Sequence, residues 1–193
     1  MIHTESGAGL DTELQHRVDT LARLVRGTPR FIDALRAWLG FDVVRVPRVP
    51  DVEHALAERD ALLLDVPSGT TVIRRDGYLV AALGGAPFRV AEGGALVRTA
   101  ELGLDLEQKA ELRSGMTPLG QILRDAHRAT HYACRVDGAP VDDQPALRSR
   151  ATLLRGGRPV VLVWEAVLWK ALTHRVPGQL PGYAQVPVRV GVA

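Results

Sequence analysis

The sequence predicts an α+β fold in which helices come first and a mainly antiparallel sheet follows. Two patterns carry this prediction. Between about residues 14 and 39, apolar side chains recur every three or four positions, which is typical of amphipathic helices. From about residue 60 onward, short runs rich in Val and Leu are separated by Gly-containing turns, which is typical of strands. Because helices and strands are grouped rather than regularly alternating, the pattern favours α+β over α/β.

The N-terminal part is predicted to be helical after a loose start. Residues 1–10 show no periodicity, so we expect a single domain that covers residues 11–193. The second helix is expected to have Thr28 as its N-cap and Pro29 in its first turn, and to end at Gly40. The apolar faces of the two helices are formed by Leu14, Val18, Leu21 and Val25 and by Phe31, Ile32, Leu35, Trp38 and Leu39.

The remaining elements follow from apolar runs and the turn residues between them. Pro47 and Pro50 end the first strand, and Gly-containing or polar turns separate the later ones. Alternating valines near the C-terminus indicate one further strand, at an edge where Pro187 is tolerated. Strands are predicted at 41–46, 62–66, 70–80, 86–91, 95–102, 131–136, 146–154, 160–168 and 186–192, and helices at 52–59, at 104–113 and from the 115–120 turn to 124.

The composition excludes several classes of protein. The chain has 46% hydrophobic and 24% charged residues with a net charge of +2, which is ordinary for a globular protein and gives no sign of nucleic-acid binding. No apolar run approaches the roughly 20 residues that a membrane-spanning helix needs. The N-terminus lacks the basic start and apolar core of a secretory signal. We therefore expect a cytoplasmic protein without a membrane or nucleic-acid partner.

The sequence does not predict a metal site. Cys134 is the only cysteine, which excludes an internal disulfide and a Cys-rich zinc site, and its place in a predicted strand indicates a buried, inert thiol. His127 and His131 are four residues apart, as zinc ligands on a helix can be. However, no Glu follows His127 and a strand is predicted to begin at His131, so we expect no metal here.

Two arginines interrupt an apolar strand. Arg74 and Arg75 follow Thr71-Val-Ile and precede Asp76, and strand alternation sends their side chains to opposite faces. One guanidinium should therefore point to the covered side of the sheet, where it needs a carboxylate. That carboxylate can belong to the protein, as in a structural salt bridge, or to a bound ligand, and the residues alone leave both alternatives open.

A single carboxylate also interrupts the strand at 160–168. Glu165 lies among Val, Leu and Trp residues, where a charge is rarely left unless it is paired or used. It can be the structural partner of an arginine. Alternatively it can be an acid–base group, because desolvation raises the pKa of a carboxyl towards neutrality.

Several motifs in order resemble the chorismate pyruvate-lyase family. The resemblance covers roughly residues 22–169, and the turn Gly115-Met-Thr-Pro-Leu-Gly120 matches the family's signature turn most closely. This turn is moderately specific, because the related ligand-sensing domains of some transcription regulators share the fold. The other matching segments are Gly27–Phe31, Val72–Asp76, Ala86–Ala91, Arg148–Arg150, Gly157–Pro159 and Glu165–Leu168.

This resemblance implies an antiparallel sheet flanked by helices that enclose a buried ligand cavity. It implies a carbon–oxygen lyase that eliminates pyruvate from chorismate to give 4-hydroxybenzoate, without a metal or an organic cofactor. Arg75 and Glu165 would be the catalytic residues; Arg75 is preferred to Arg74 because Asp76 follows it. The substrate-binding positions would be Arg74, Gly27, Thr28 and Leu119.

Departures from the family pattern widen the choice of ligand. Glu92 falls where the family has a further arginine, and Gly77 replaces an aliphatic residue, so a close chorismate-derived relative is an alternative substrate. Two other hypotheses for the function are an enzyme of this fold with changed chemistry and a non-catalytic sensor of small aromatic acids. We rank the sensor last, because only some 25 residues precede the matched region, too few for a winged-helix segment. The expected partner is an aromatic or pre-aromatic carboxylic acid, and the expected state is a monomer, with a dimer as the alternative.

Overall fold

One antiparallel sheet with helices on both faces forms the molecule. The computed structural model describes residues 12–83 and 86–173. Within these ranges the elements are α1 (Thr12–Gly27), α2 (Phe31–Leu39), β1 (Val43–Pro47), β2 (Val52–Ala55), α3 (Glu58–Leu64), β3 (Thr71–Leu83), β4 (Ala86–Val97), α4 (Leu106–Ser114), α5 (Leu119–Ile122), β5 (His127–Arg135), β6 (Pro145–Arg155), β7 (Arg158–Leu168) and α6 (Lys170–Thr173).

The described residues form a seven-stranded sheet in which six strands have the order β1-β3-β4-β7-β6-β5. The seventh, β2, pairs with β3 next to β1 along the same edge. Every pairing is antiparallel, which confirms the predicted α+β class. Across the centre of the sheet, Gly77 pairs with Gly93, which pairs with Glu165. Arg75 lies two residues before Gly77 and therefore shares its face with Glu165. This register brings distant charges to one side of the sheet.

The predicted N-terminal helices are confirmed, and they cover one face of the sheet. Val18, Leu21 and Val25 of α1 are fully buried and pack with Leu35 of α2 against strand residues such as Ala81. On the same face, α4 and α5 cover the other end of the strands. The opposite face is covered in part by α3, whose Leu64 packs against Val72 and Leu162.

The predicted capping of α2 is wrong at its start and correct at its end. The N-cap is Arg30, whereas the hydroxyl of Thr28 donates to the carbonyl of Leu24 at 2.7 Å and so belongs to the end of α1. Gly40 ends the helix in a left-handed conformation with φ 79°, and its N–H donates to the carbonyl of Arg36.

The region 52–66 was predicted incorrectly. A helix was expected at 52–59, but residues 52–55 form β2, because they pair with residues 71–74 of β3. A strand was expected at 62–66, but residues 58–64 form α3. A short apolar run fits either a strand or a buried helix. Burial shows which applies here, since Leu64 is fully buried and Leu62 is 75% exposed, as on a helix with one covered face.

Other predicted boundaries differ from the observed ones because pairing with neighbouring strands extends the strands. The strands expected at 86–91 and 95–102 are one strand, β4, and β5 begins at His127 instead of His131. The helix after Gly115–Gly120 is a single turn, α5. Cys134 is exposed, so the expected buried thiol is wrong. The predicted strand at 186–192 lies outside the described residues. No helix within those residues has the length and apolar character needed to cross a membrane.

Candidate functional site

A cavity of about 110 Å³ lies between the centre of the sheet and the starts of α2 and α5. One water needs roughly 10–15 Å³ by the same kind of measure, so the cavity has room for a small organic molecule. Strands β3, β4 and β7 form its floor, with Arg75, Gly93 and Glu165 among the lining residues. Phe31 of α2 and Leu119 of α5 close it from the other side.

Two paired glycines shape the floor of the cavity. A Cβ atom added at Gly77 would lie 2.8 Å from the carbonyl oxygen of Val46 and 3.0 Å from Nε of Arg45. A Cβ atom added at Gly93 would lie 2.6 Å from the carbonyl oxygen of Trp164. Real Cβ atoms essentially never approach backbone this closely. Gly77 therefore leaves the space that the Arg45 guanidinium occupies, and Gly93 allows the close approach of strand β7.

Arg75 is the incompletely bonded cation of this site. Its side chain is 2% exposed, and its Nε donates to Oδ2 of Asp51 at 2.7 Å. Its Nη1 and Nη2 are buried without a hydrogen-bond partner. Burial lowers the pKa of Arg75, the nearby positive charge of Arg45 lowers it further, and Asp51 opposes both effects. A buried donor without an acceptor costs about 1–3 kcal/mol, more when charged.

The topology of the sheet edge places Asp51 beside Arg75. Strands β1 and β2 both pair with β3, on residues 77–81 and 71–74 respectively. The connection 48–51 therefore passes alongside the residues between them, Arg75 and Asp76, and the N–H of Arg48 donates to the carbonyl of Asp76. Pro47 precedes this connection and Pro50 lies within it, and both interrupt regular strand pairing there.

Arg45 shares Asp51 with Arg75. Its Nη2 lies 3.4 Å from Oδ1 of Asp51 and donates to the carbonyl of Asp76 at 2.9 Å, and its Nη1 donates to the carbonyl of Gly115. Arg45 is 8% exposed. One carboxylate thus serves two buried guanidinium groups.

A second arginine cluster in the cavity wall is fully bonded. Arg128 donates from Nη1 and Nη2 to the two carboxylate oxygens of Glu165 at 2.8 and 2.6 Å. Its Nη2 also contacts the hydroxyl of Ser149 at 3.0 Å, and its Nε donates to Thr130 at 3.2 Å. The hydroxyl of Ser149 donates to Glu165 at 2.6 Å. The side chains of Arg128 and Glu165 are 2% and 13% exposed.

The two predicted arginines lie on opposite faces. Arg75 lines the cavity. Arg74 is on the other face, where it pairs with Asp76 at 2.9 Å, has its guanidinium 5.8 Å from the Trp164 ring centre and is 42% exposed. The structure therefore places Arg75 and Glu165 at the cavity and Arg74 away from it.

The other predicted binding residues divide in the same way. Leu119 lines the cavity, whereas Gly27 and Thr28 at the end of α1 do not contribute to its lining, which begins at Pro29 and Arg30. Among the residues that the structure describes, no group of three His, Cys, Asp or Glu side chains could hold a metal ion.

Sequence reasoning missed three residues of the site. Arg45 interrupts the apolar strand 41–46 just as Arg75 interrupts β3, so the same alternation argument could have found it. Arg128 was missed because its strand was expected to begin at His131, four residues after the observed start. Asp51 carries no signal in the sequence, since its position depends on how β1 and β2 share the edge of β3.

Comparison with solved structures shows the fold. The effector domain of PhnF from Mycobacterium smegmatis is similar with a TM-score of 0.50 at 13% identity, over 74% of this chain and 90% of that chain. A GntR-family transcriptional regulator from Bacillus cereus gives 0.47 at 12% identity, over 72% and 98% of the two chains. The C-terminal domain of the histidine utilization repressor from Pseudomonas syringae gives 0.45 at 16% identity, over 72% and 99%. No protein-family profile and no curated protein matches the chain.

These comparisons confirm the predicted chorismate lyase-like fold and correct the predicted activity. The structure with the TM-score of 0.50 is the effector domain of PhnF, and the other two are a transcriptional regulator and the C-terminal domain of a repressor. The prediction of a carbon–oxygen lyase that converts chorismate to pyruvate and 4-hydroxybenzoate is therefore wrong. The geometry agrees with this correction, because Glu165, the predicted acid–base group, is held by Arg128 and Ser149.

Proposed function

We propose that this chain is a non-catalytic sensor that binds a small carboxylic acid in the cavity, with Arg75 as the partner of the ligand carboxylate. The observation that carries this proposal is the pair of unpartnered, buried Nη groups of Arg75 at the cavity. The planar guanidinium presents two parallel N–H donors that match a carboxylate. A bound carboxylate would satisfy both donors at once.

An aromatic acid suits the rest of the lining. Away from the charged floor, the cavity wall includes apolar side chains: Phe31, Ile32, Leu79, Leu123 and Val163. Ligand sites commonly combine such walls with a few placed polar groups that fix orientation. The predicted ligand contacts of Leu119, Gly27 and Thr28 through backbone amides stay predictions, and so does the absence of a nucleic-acid contact by this chain.

The state of Glu165 favours binding over turnover. Both of its oxygens accept hydrogen bonds from Arg128, and one also accepts from Ser149. Both oxygens of this carboxylate are therefore engaged by protein donors, which favours a structural role for Glu165 over proton transfer with a ligand. The similarity of the fold to the effector domain of PhnF supports the same conclusion.

Calorimetric titration of the full chain with 4-hydroxybenzoate and with benzoate tests the proposal. We expect saturable binding of at least one of them, and titration with benzyl alcohol, which lacks the carboxylate, should give none. In a parallel incubation with chorismate, pyruvate should not rise above the rate without protein. Failure of both acids to bind would refute the carboxylate site, and enzymatic release of pyruvate would refute the non-catalytic sensor.

A further inference from the structure

The positive charges around the cavity are unequally compensated. Arg128 has Glu165 as its own bidentate partner, and Arg30 has Asp33 at 2.5 Å. Arg75 and Arg45, by contrast, share the single carboxylate of Asp51, at 2.7 and 3.4 Å. Two buried cations with one shared anion carry a net charge of +1 at this end of the cavity.

The geometry also limits how a ligand can approach Arg75. Asp51 occupies Nε, so the free donors are Nη1 and Nη2 at the end of the guanidinium. A ligand carboxylate therefore binds end-on through these two groups, beside the carboxylate of Asp51. Two carboxylates on one guanidinium are stable only while Arg45 supplies the second positive charge.

We propose that Asp51 determines the charge of the ligand, so that the cavity takes a carboxylate monoanion and rejects a dianion. This inference rests on the proposed function. One ligand charge brings the group of Arg75, Arg45 and Asp51 to neutrality, and a second one lies uncompensated in a buried space. Two like charges repel each other more strongly in a buried space than in water, because the effective dielectric constant there is lower.

The lining of the cavity contains one further carboxylate, Glu92. Glu92 is among the lining residues of the cavity, and by strand alternation it belongs to the face opposite Arg75, where it pairs in register with Tyr78 and Ala166. It supplies no positive charge for a second ligand carboxylate. The arginines of the lining other than Arg75 already have protein partners, so among the described residues Arg75 offers the site for a negative ligand group.

The test compares two ligands of nearly the same shape, isophthalate with two charges and its monoamide, isophthalamate, with one. Binding to the full chain is measured by calorimetry for the wild type, Asp51→Asn and the control Asp137→Asn. Asp137 has a side chain that is 93% exposed, and its replacement changes the net charge equally. We expect the wild type and the control to prefer isophthalamate by about tenfold or more, and Asp51→Asn to shift the ratio by at least about tenfold towards isophthalate.

The other outcomes separate the two proposals. An unchanged ratio in Asp51→Asn, or equal weakening of both ligands, overturns the role of Asp51 and leaves the carboxylate site intact. If the wild type binds benzoate but neither isophthalate nor isophthalamate, the shape of the ligand and not its charge limits binding. This outcome also overturns the role of Asp51. A wild type that binds no benzoate refutes the proposed function and this inference with it. If Asp51→Asn does not fold, Asp51→Ser makes the same charge change with a smaller side chain.

Discussion

Each of the two arginine clusters at the cavity pairs a guanidinium with a carboxylate, but the hydrogen bonding is complete in one cluster and incomplete in the other. Arg128 and Glu165 form a closed pair, in which Ser149 and Thr130 take up further hydrogen-bonding capacity. Arg75 has one ion pair, to Asp51, and two buried donors without partners. Both guanidinium groups are 2% exposed, so burial alone does not distinguish them.

The difference shows which cluster stabilises the fold and which one is ready for a ligand. A complete buried pair contributes rigidity, and removing one partner leaves a costly charge behind. An incomplete one lowers stability until an acceptor arrives, so it is the part of the site where a ligand gains most. The substitutions below test this division of roles.

Arg128→Met should have the largest effect on stability. It leaves Glu165, 13% exposed, with Ser149 as its remaining partner in this cluster. We expect the free energy of unfolding, measured by urea denaturation, to fall by about 3–5 kcal/mol. The double variant with Glu165→Leu removes both charges and should recover most of this loss. Equal instability of the single and double variants would contradict the paired state of the two residues.

Arg75→Met should weaken ligand binding strongly and change the stability of the fold little. We expect the affinity for 4-hydroxybenzoate, measured by calorimetry, to fall by about 2–5 kcal/mol, which is roughly 30-fold or more. Without ligand, the free energy of unfolding should stay within about 1 kcal/mol of the wild type, because two unsatisfied buried donors are removed together with one ion pair. Destabilisation as large as that of Arg128→Met would show that the clusters do not differ.

Gly77→Ala tests the floor of the cavity next to Arg45 and Arg75. The added methyl group would meet the Val46 carbonyl at 2.8 Å and Nε of Arg45 at 3.0 Å, so backbone or guanidinium must shift. We expect a loss of about 1–3 kcal/mol in urea denaturation and weaker ligand binding. The matched control is Gly27→Ala at the end of α1, where nothing lies within 4 Å of the added Cβ. That variant should be neutral or slightly stabilising.

Arg74→Met should have the smallest effect. The pair with Asp76 and the contact with Trp164 lie on the other face, and Arg74 is 42% exposed. We expect a stability loss of about 0.5–1 kcal/mol in thermal melting and an unchanged affinity for 4-hydroxybenzoate. Loss of binding here, with Arg75→Met unaffected, would reverse the assignment of the two arginines.

The sequence predicted the fold class well because hydrophobic periodicity acts locally. The helices at 12–27 and 31–39 and the hairpin of β6 and β7 each have a one-sided or continuous apolar pattern in the sequence. The region 52–66 was wrong because its short runs suit more than one structure, and the pairing of β2 with β3 decided the outcome. Such pairing depends on residues far apart along the chain and leaves no local pattern.

The site was predictable in part for the same reason. A charge within an apolar strand is visible in the sequence, and this pointed to Arg75 and Glu165, which both line the cavity. The partners Asp51 and Arg128 were not visible, because each reaches its arginine or glutamate across the sheet, 24 and 37 residues away in the sequence. Without those partners, the pairing of Glu165 with Arg128 could not be inferred, and the resemblance led to the wrong activity.

A crystal structure of the full chain with 4-hydroxybenzoate tests the division between the clusters most directly. We expect the ligand carboxylate within hydrogen-bond distance, about 2.7–3.2 Å, of both Nη1 and Nη2 of Arg75. The bidentate pair of Arg128 and Glu165 should be unchanged. A ligand bound to Arg128 after displacement of Glu165, or an Arg75 that keeps its free donors while the ligand is bound elsewhere, would contradict the account.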